Sequence, residues 1–190
     1  QIAENAIGLS GDLKSSMNFR IGPDGLPVTR NGQTVKLTGT DIPILWTNKA
    51  QNLCLFVDGT SLKSLSTAYV ASSSLYTVTA KKRMMFIEHN NIVFMGNGFQ
   101  MLKYENGTVS VWGDASDFPI EFEMPQRVYR TPPLSNILLS YRIRTYVAEG
   151  RFVFYSLDEY PEKFRRNQIL TVDEDITAMS ADSNCIYIHT

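Results

Sequence analysis

Two histidines, two cysteines and a few clustered acids and bases are the side chains of this chain best suited to chemistry. A zinc site or a Ser-His-Asp triad would need His89 or His189, the only histidines, held beside carboxylates in space. His89 falls in a predicted hairpin turn and His189 next to the C-terminal Thr190, so both read as turn or surface histidines. Carboxylate pairs of the sort a glycosidase uses occur as Glu121/Glu123 and Asp173/Glu174/Asp175. Acids in such loop runs are normally solvated, and no Asp box, Gly-rich phosphate loop or Ser elbow accompanies them. Cys54, in Leu-Cys-Leu-Phe-Val, and Cys185, in Asn-Cys-Ile-Tyr-Ile, sit inside strand patterns rather than in paired or metal spacing. They read as buried, reduced thiols, because free cysteine packs as a small hydrophobe. No catalytic residue, metal or cofactor is expected.

The basic residues carry more. Lys81-Lys82-Arg83 precedes a strand pattern, Arg142 and Arg144 alternate on one face of another with Arg151 across its hairpin, and Lys163, Arg165 and Arg166 crowd one segment. Such side chains could line a channel passed by DNA, where phosphate contacts need charge but no base reading. A solvated rim balanced by nearby Asp and Glu is the preferred reading of the two. Asn106-Gly107-Thr108 matches a glycosylation acceptor but is first of all a hairpin turn.

These side chains are positioned by a recurring element: an apolar strand, a tight polar turn and a return strand. Residues 53–57, the Asp58-Gly59 turn and residues 62–65 make the first copy. The fullest copy has strands at 84–88, 91–95, 99–104 and 108–112, with turns at His89-Asn90, Gly96-Asn97-Gly98 and Glu105-Asn106-Gly107. A third runs from 142–148 through Glu149-Gly150 to 151–156, and a fourth opens with 179–181, Asp182-Ser183 and 184–189. Asn and Gly tolerate the positive φ of tight hairpins, so the spacing predicts antiparallel meanders. Units unable to bury both faces alone are how radial β arrays are written in sequence. The fold class expected is therefore all-β, with β-propeller-like blades that form an incomplete propeller. Strand-centre aromatics Phe56, Phe94, Phe154 and Tyr187 are 38, 60 and 33 residues apart, against about 40 for a four-stranded blade. Three to four blades do not close a ring, so a longer propeller or a partner is expected to supply the rest. Residues 1–36 read as an N-terminal arm and first hairpin, and 37–190 as the blades. The Pro-rich stretch 113–140 reads as an inter-blade segment, and 157–166 as a short helix with Pro161 in its first turn.

With 190 residues, 21.4 kDa and 43% apolar content, the chain can close a core without staples. A net charge of -1 and a pI near 6.2 exclude a global field for nucleic acid or anionic membrane. No apolar run approaches the roughly 18 residues of a membrane span, and Gln1-Ile2-Ala3-Glu4-Asn5 lacks signal-peptide character. The expectation is a soluble product of a cytoplasm without a membrane partner. The missing initiator Met points to processing or to a fragment.

Several segments, in order, resemble a known family. Ser16-Met17-Asn18-Phe19-Arg20-Ile21 followed by Asp24-Gly25-Leu26-Pro27-Val28-Thr29-Arg30-Asn31-Gly32 is similar to the opening of bacteriophage virion proteins of the neck and tail hub type. Leu55-Phe56-Val57-Asp58-Gly59-Thr60-Ser61-Leu62-Lys63 resembles their "L-F-V-x-x-G-x-L-x" hairpin. Arg144-Thr145-Tyr146-Val147-Ala148-Glu149-Gly150-Arg151-Phe152-Val153-Phe154-Tyr155-Ser156 is similar to "R-x-Y-V-A-x-G-x-x-L-x-Y-S". Tyr160 and Phe164 stand in the following aromatic turn, and residues 176–190 resemble the "I-T-x-M-x-x-x-x-x-x-I-Y-I-x-T" ending. The resemblance covers most of the chain. Members usually continue past the point matching Thr190, and the segment 117–133 is shorter than theirs.

The resemblance implies a β-propeller structural component of a virion, in the tail or head-tail junction, acting by assembly without catalysis. Portal, adaptor or tail proteins are the partners it implies, with a homo-oligomer in a symmetric ring and non-specific contact with packaged DNA. Location would be the virion, and the host cytoplasm during assembly. Asp58, Gly59, Asn97 and Glu149 at hairpin tips, together with the arm 1–36, are candidate assembly contacts, since extended arms and open edges bind by strand addition. Arg142, Arg144 and Arg151 are the candidate DNA contacts. An alternative is a carbohydrate-binding or carbohydrate-active propeller, with Trp112 or Tyr104 beside Asp114 and Asp117 stacking on sugars. A cytoplasmic scaffold is a third reading.

Overall fold

A computed structural model describes residues 19–21, 27–29, 39, 41–79, 83–113 and 129–190. The chain divides into two compact units, Gln1–Lys36 and Leu37–Thr190. In the first, β1 (Phe19–Ile21) pairs antiparallel with β2 (Pro27–Thr29), Phe19 opposite Thr29.

The second unit is all-β and antiparallel among its described residues. Its first sheet is the meander β3 (Leu45–Thr47), β4 (Cys54–Asp58), β5 (Ser61–Leu65) and β6 (Tyr76–Thr77). The second is β7 (Met85–His89), β8 (Ile92–Gly96), β9 (Met101–Glu105) and β10 (Thr108–Val111). In the third, β12 (Leu138–Tyr141), β13 (Arg144–Glu149), β14 (Phe152–Leu157) and β15 (Tyr160–Thr171) follow in order, and β11 (Tyr129–Arg130) joins the far edge of β15. The fourth is the hairpin β16 (Ala178–Ala181) and β17 (Ile186–His189).

Strand alternation sends successive residues to opposite faces, and here both faces find apolar partners. In β8, Val93 and Met95 join Leu55, Val57, Leu62 and Phe86 in a cluster between the first and second sheets. Phe94, between them in sequence, joins Ile87, Met101, Trp112, Val147 and Phe164 between the second and third. Val147 faces that cluster, while its neighbour Ala148 packs with Val153 and Ile176, against Met179 and Ile188 of the fourth sheet. A strand covered on both faces reads as an unbroken apolar run, which is why Ile92-Val93-Phe94-Met95 shows no polar alternation.

The hairpins fall one residue from their expected positions. Asn90 and Asn91 both take positive φ (51° and 63°) and form the β7–β8 turn, so His89 is a strand residue paired with Ile92. Gly150 (φ 56°) and Arg151 make the β13–β14 turn, leaving Glu149 in β13 opposite Phe152. The helix expected at 157–166 is absent. Residues 160–171 are the long strand β15, with Leu157 opposite Tyr160 and Ser156 opposite Phe164. That register shift loops out residues 161–163, which accommodates a proline with no N–H to give the ladder.

Candidate functional site

The β12–β13 end of the third sheet brings together two of the residues singled out for function, Arg142 and Arg144. Arg142 is not on a strand face as expected. It occupies the β12–β13 turn with φ 53°, stacks on the Tyr141 ring at 5.1 Å and donates to the Ser183 carbonyl at 3.5 Å. Tyr141 Oη donates to the same carbonyl at 3.4 Å, so the β16–β17 turn is pinned beside this tip. Arg144 begins β13, donates from Nε to Asp158 Oδ1 and lies 5.1 Å from the Tyr155 ring. That hydrogen bond raises the guanidinium's pKa and holds the Asp158 carboxyl below the usual range. Ile143 and Tyr160 are exposed alongside.

Arg151 is elsewhere. It sits in the β13–β14 turn over the Phe152 ring at 5.7 Å, at the opposite end of six-residue β13 from Arg144. Five steps of an antiparallel strand are roughly 17 Å, so the three arginines do not share one patch. Arg142 and Arg151 occupy the two turns that flank β13 instead of the strand positions expected, and Arg144 alone of the three stands on a strand. Asp158, the partner of Arg144, was not marked in the sequence by any motif.

The assembly candidates differ sharply in exposure. Glu149 is exposed. Asp58 is half-buried and already engaged: Lys63 Nζ donates to its Oδ2 at 2.8 Å and the Asp41 amide to its Oδ1 at 3.4 Å. Gly59, φ 61°, donates its amide to the Asp41 carbonyl at 2.8 Å. Asn97, expected at a docking tip, is only 3% exposed. Its Oδ1 accepts from the Phe99 and Gln100 amides at 2.9 and 2.8 Å, which closes the β8–β9 loop from inside.

Trp112 cannot serve as a sugar platform, because it is 1% exposed. It lies between Phe94 and Phe164, with ring centroids 4.8 and 6.0 Å away, and donates Nε1–H to the Pro161 carbonyl at 3.1 Å. Tyr104 is partly buried against the cluster of the first two sheets. Asp114, Asp117, Glu121, Glu123, Lys81, Lys82 and nearly all of the arm 1–36 lie outside the described residues.

His89, read as a turn histidine, is 4% exposed; Nδ1 lies 3.0 Å from Ser140 Oγ across the second and third sheets. Burial lowers its pKa. A partly buried lysine bridge joins the same two sheets. Lys103 Nζ donates to Glu162 Oε1 at 2.6 Å, and although burial opposes its charge, Glu162 and then Glu105 raise its pKa overall. His189 Nε2 lies 3.0 Å from Ser180 Oγ on the exposed fourth sheet. Cys54 and Cys185 are unbridged; against the expectation of buried thiols, Cys54 is half-buried and Cys185 exposed. Asp173, Glu174 and Asp175 are solvated in the β15–β16 loop. Among the described residues no group of three or more His, Cys, Asp or Glu is placed to hold a metal ion, and no helix is long and apolar enough to cross a membrane.

No family model matches this chain, and no curated protein matches it. A solved structure, the AfRom2 CNH domain, is similar over 89% of this chain and 69% of that one, at 8% identity and a TM-score of 0.36.

Proposed function

We propose that this protein is a structural component of a bacteriophage virion, in the tail or at the head-tail junction, that acts by assembly with neighbouring virion proteins and not by catalysis. The observation that carries the reading is the serial stacking of meanders. Each sheet of the second unit buries a face on the next through its own apolar cluster, and the side chains most suited to chemistry brace turns or join sheets. Stacks of this kind are rigid and present hairpin tips and strand edges to neighbours. The resemblance of the ordered segments to those of neck and tail hub proteins supports the phage reading.

In this reading the sheets are blades of an incomplete propeller. Copies repeat around the symmetry axis of the particle, against portal, adaptor or tail proteins. Arg142 and Arg144 face packaged DNA as phosphate contacts, with Arg151 on the far end against a neighbour. Light scattering of the purified chain, with and without extracts containing assembling particles, tests this. A ring-sized mass or incorporation into particles is the expected result. A monomer at all concentrations that ignores particles overturns it.

A further inference from the structure

The first two sheets expose apolar side chains at both of their ends, and strand direction fixes which end is which. β4 runs into the β4–β5 turn and β5 runs back from it, so that turn marks one end of the first sheet and the β5–β6 loop the other. β6 returns to the turn end: Tyr76 pairs with Leu62, and the Val78 amide donates to the Thr60 carbonyl at 2.7 Å. The Thr79 amide then donates to Gln100 Oε1 at 2.8 Å, which sets the β8–β9 loop of the second sheet at that same end. The Lys49 amide, in the β3–β4 loop, donates to Glu88 Oε2 at 3.2 Å, so the last residues of β7 lie at the opposite end.

At the opposite end stands a knob. Beyond β5 the hairpin continues with Leu65 opposite Ala71, and Ser66 closes it. The Ser66 amide donates to the Val70 carbonyl at 3.0 Å, its carbonyl accepts from the Tyr69 amide at 2.9 Å, and its Oγ accepts from the Val70 amide at 3.1 Å. Tyr69 and Val70 on this braced tip are 54% and 65% exposed. Tyr69 takes φ 62°, the left-handed position that short hairpin loops ordinarily give to Gly. A bulky side chain adopts it only at a cost, and outliers of this kind cluster at functional sites. Four strand residues, roughly 13 Å, separate Leu62, the partner of Tyr76, from Ser66 at the base of the tip.

At the turn end is a groove of about 330 Å³ whose lining includes Tyr76, Phe99, Met101, Val111, Pro132 and Leu134. Phe99, Val111 and Leu134 are each more than half exposed, and a contiguous apolar surface of this kind marks a contact site where scattered residues would not. Among the described residues no charged side chain lines the groove, and none occurs from Ser64 to Ala80 around the knob.

We infer that the Tyr69-Val70 tip of one copy seats in the Phe99, Val111 and Leu134 groove of the next. The occupant is a second copy because one chain carries both halves of the match, neutral against neutral, at opposite ends where they cannot meet within a single molecule. A lipid surface fits less well, since residues 64–80 hold no Lys or Arg to draw the tip to anionic headgroups. Such a head-to-tail contact repeats from copy to copy, and its rotation decides whether the series closes as a ring or extends as a stack. The inference rests on the assembly reading and names the surfaces through which copies meet.

The test is sedimentation velocity of the full chain from micromolar to millimolar concentration. The wild type grows past two chains. Val70→Asp at the tip and Leu134→Asp in the groove each stay monomeric where the wild type associates, with thermal unfolding unchanged because both side chains lie on the surface. Mixed one to one, these two variants form a complex that stops at two chains, with the one intact tip in the one intact groove. Tyr69→Gly, which relieves the backbone and removes the ring, weakens association by about tenfold or more without lowering the thermal midpoint. Association of either Asp variant like the wild type, or a mixture that fails to pair or grows past two chains, overturns the contact and leaves the virion role standing. So does a monomeric wild type that still enters particles, or binding to phosphatidylcholine vesicles that Val70→Asp abolishes. A wild type that neither associates nor enters particles removes both.

Discussion

Acidification should loosen the contact between the second and third sheets through His89. The imidazole ends β7, is 4% exposed, and has Nδ1 3.0 Å from Ser140 Oγ; its Nε2 is buried without a hydrogen-bond partner. Burial is the cause of its lowered pKa, and no carboxylate or cation contributes among the described residues. Above the unfolded pKa of about 6.5 both states are neutral at this site, so the group adds no pH dependence there. Below it the unfolded chain takes a proton that the folded chain refuses, so stability falls as pH drops, until the lowered folded pKa is reached. The slope cannot exceed about 1.36 kcal/mol per pH unit, so between pH 7 and 5.5 the loss is bounded at about 1.3 kcal/mol, the limit in which the folded ring takes no proton. Urea unfolding of the wild type and His89→Asn at both pH values is the assay; Asn keeps an acceptor near the Ser140 hydroxyl but does not titrate. The wild type should lose more stability than the variant across that interval, by no more than about 1.3 kcal/mol. Equal losses in both proteins would refute the reasoning, and so would an NMR titration that puts the folded His89 pKa at or above 6.5.

Other substitutions probe the packing that sets the sheets in place. A Cβ at Gly96 would lie 2.4 Å from the Ser135 carbonyl oxygen and 2.7 Å from Met101 Sδ, so Gly96→Ala should cost about 1–3 kcal/mol in thermal or urea unfolding; a neutral result would mean the 132–137 segment does not press on β8. Gly107→Ala meets no atom within 4 Å but keeps φ 86°, so only backbone strain of roughly 1–2 kcal/mol is expected. Trp112→Ala should cost about 3–5 kcal/mol, and a loss below about 1 kcal/mol would contradict its burial between Phe94 and Phe164. Glu162→Gln removes the charge facing Lys103 at 2.6 Å, where the two side chains are 25% and 19% exposed. A cost of about 1–2 kcal/mol follows after discounting for solvent, and full retention of stability in urea would show the bridge to be incidental.

The sequence by itself determined the local grammar. Asn106-Gly107, Asp58-Gly59 and Glu149-Gly150 mark hairpins because few residues other than Gly and Asn accept positive φ cheaply. The apolar runs between them, too short for helices and unbroken by polar alternation, called for antiparallel strands covered on both faces, as Ile92-Val93-Phe94-Met95 is. Tertiary structure decided what local preference left degenerate. Turn chemistry locates a hairpin only to within a residue, and a one-residue slip moves a side chain to the other face or into the turn. That slip buried His89 and left Arg142 and Arg151 in turns rather than on strands. Pro161 and its neighbours suit a helix start as well as a strand irregularity, and the choice was made by groups far along the chain. Trp112 Nε1 and Thr145 Oγ1 both donate to the Pro161 carbonyl, at 3.1 and 3.0 Å, across 49 and 16 residues. Whether an aromatic such as Trp112 is a surface platform or a core residue likewise depends on what lies opposite it, and only the folded chain brings Phe94 and Phe164 there.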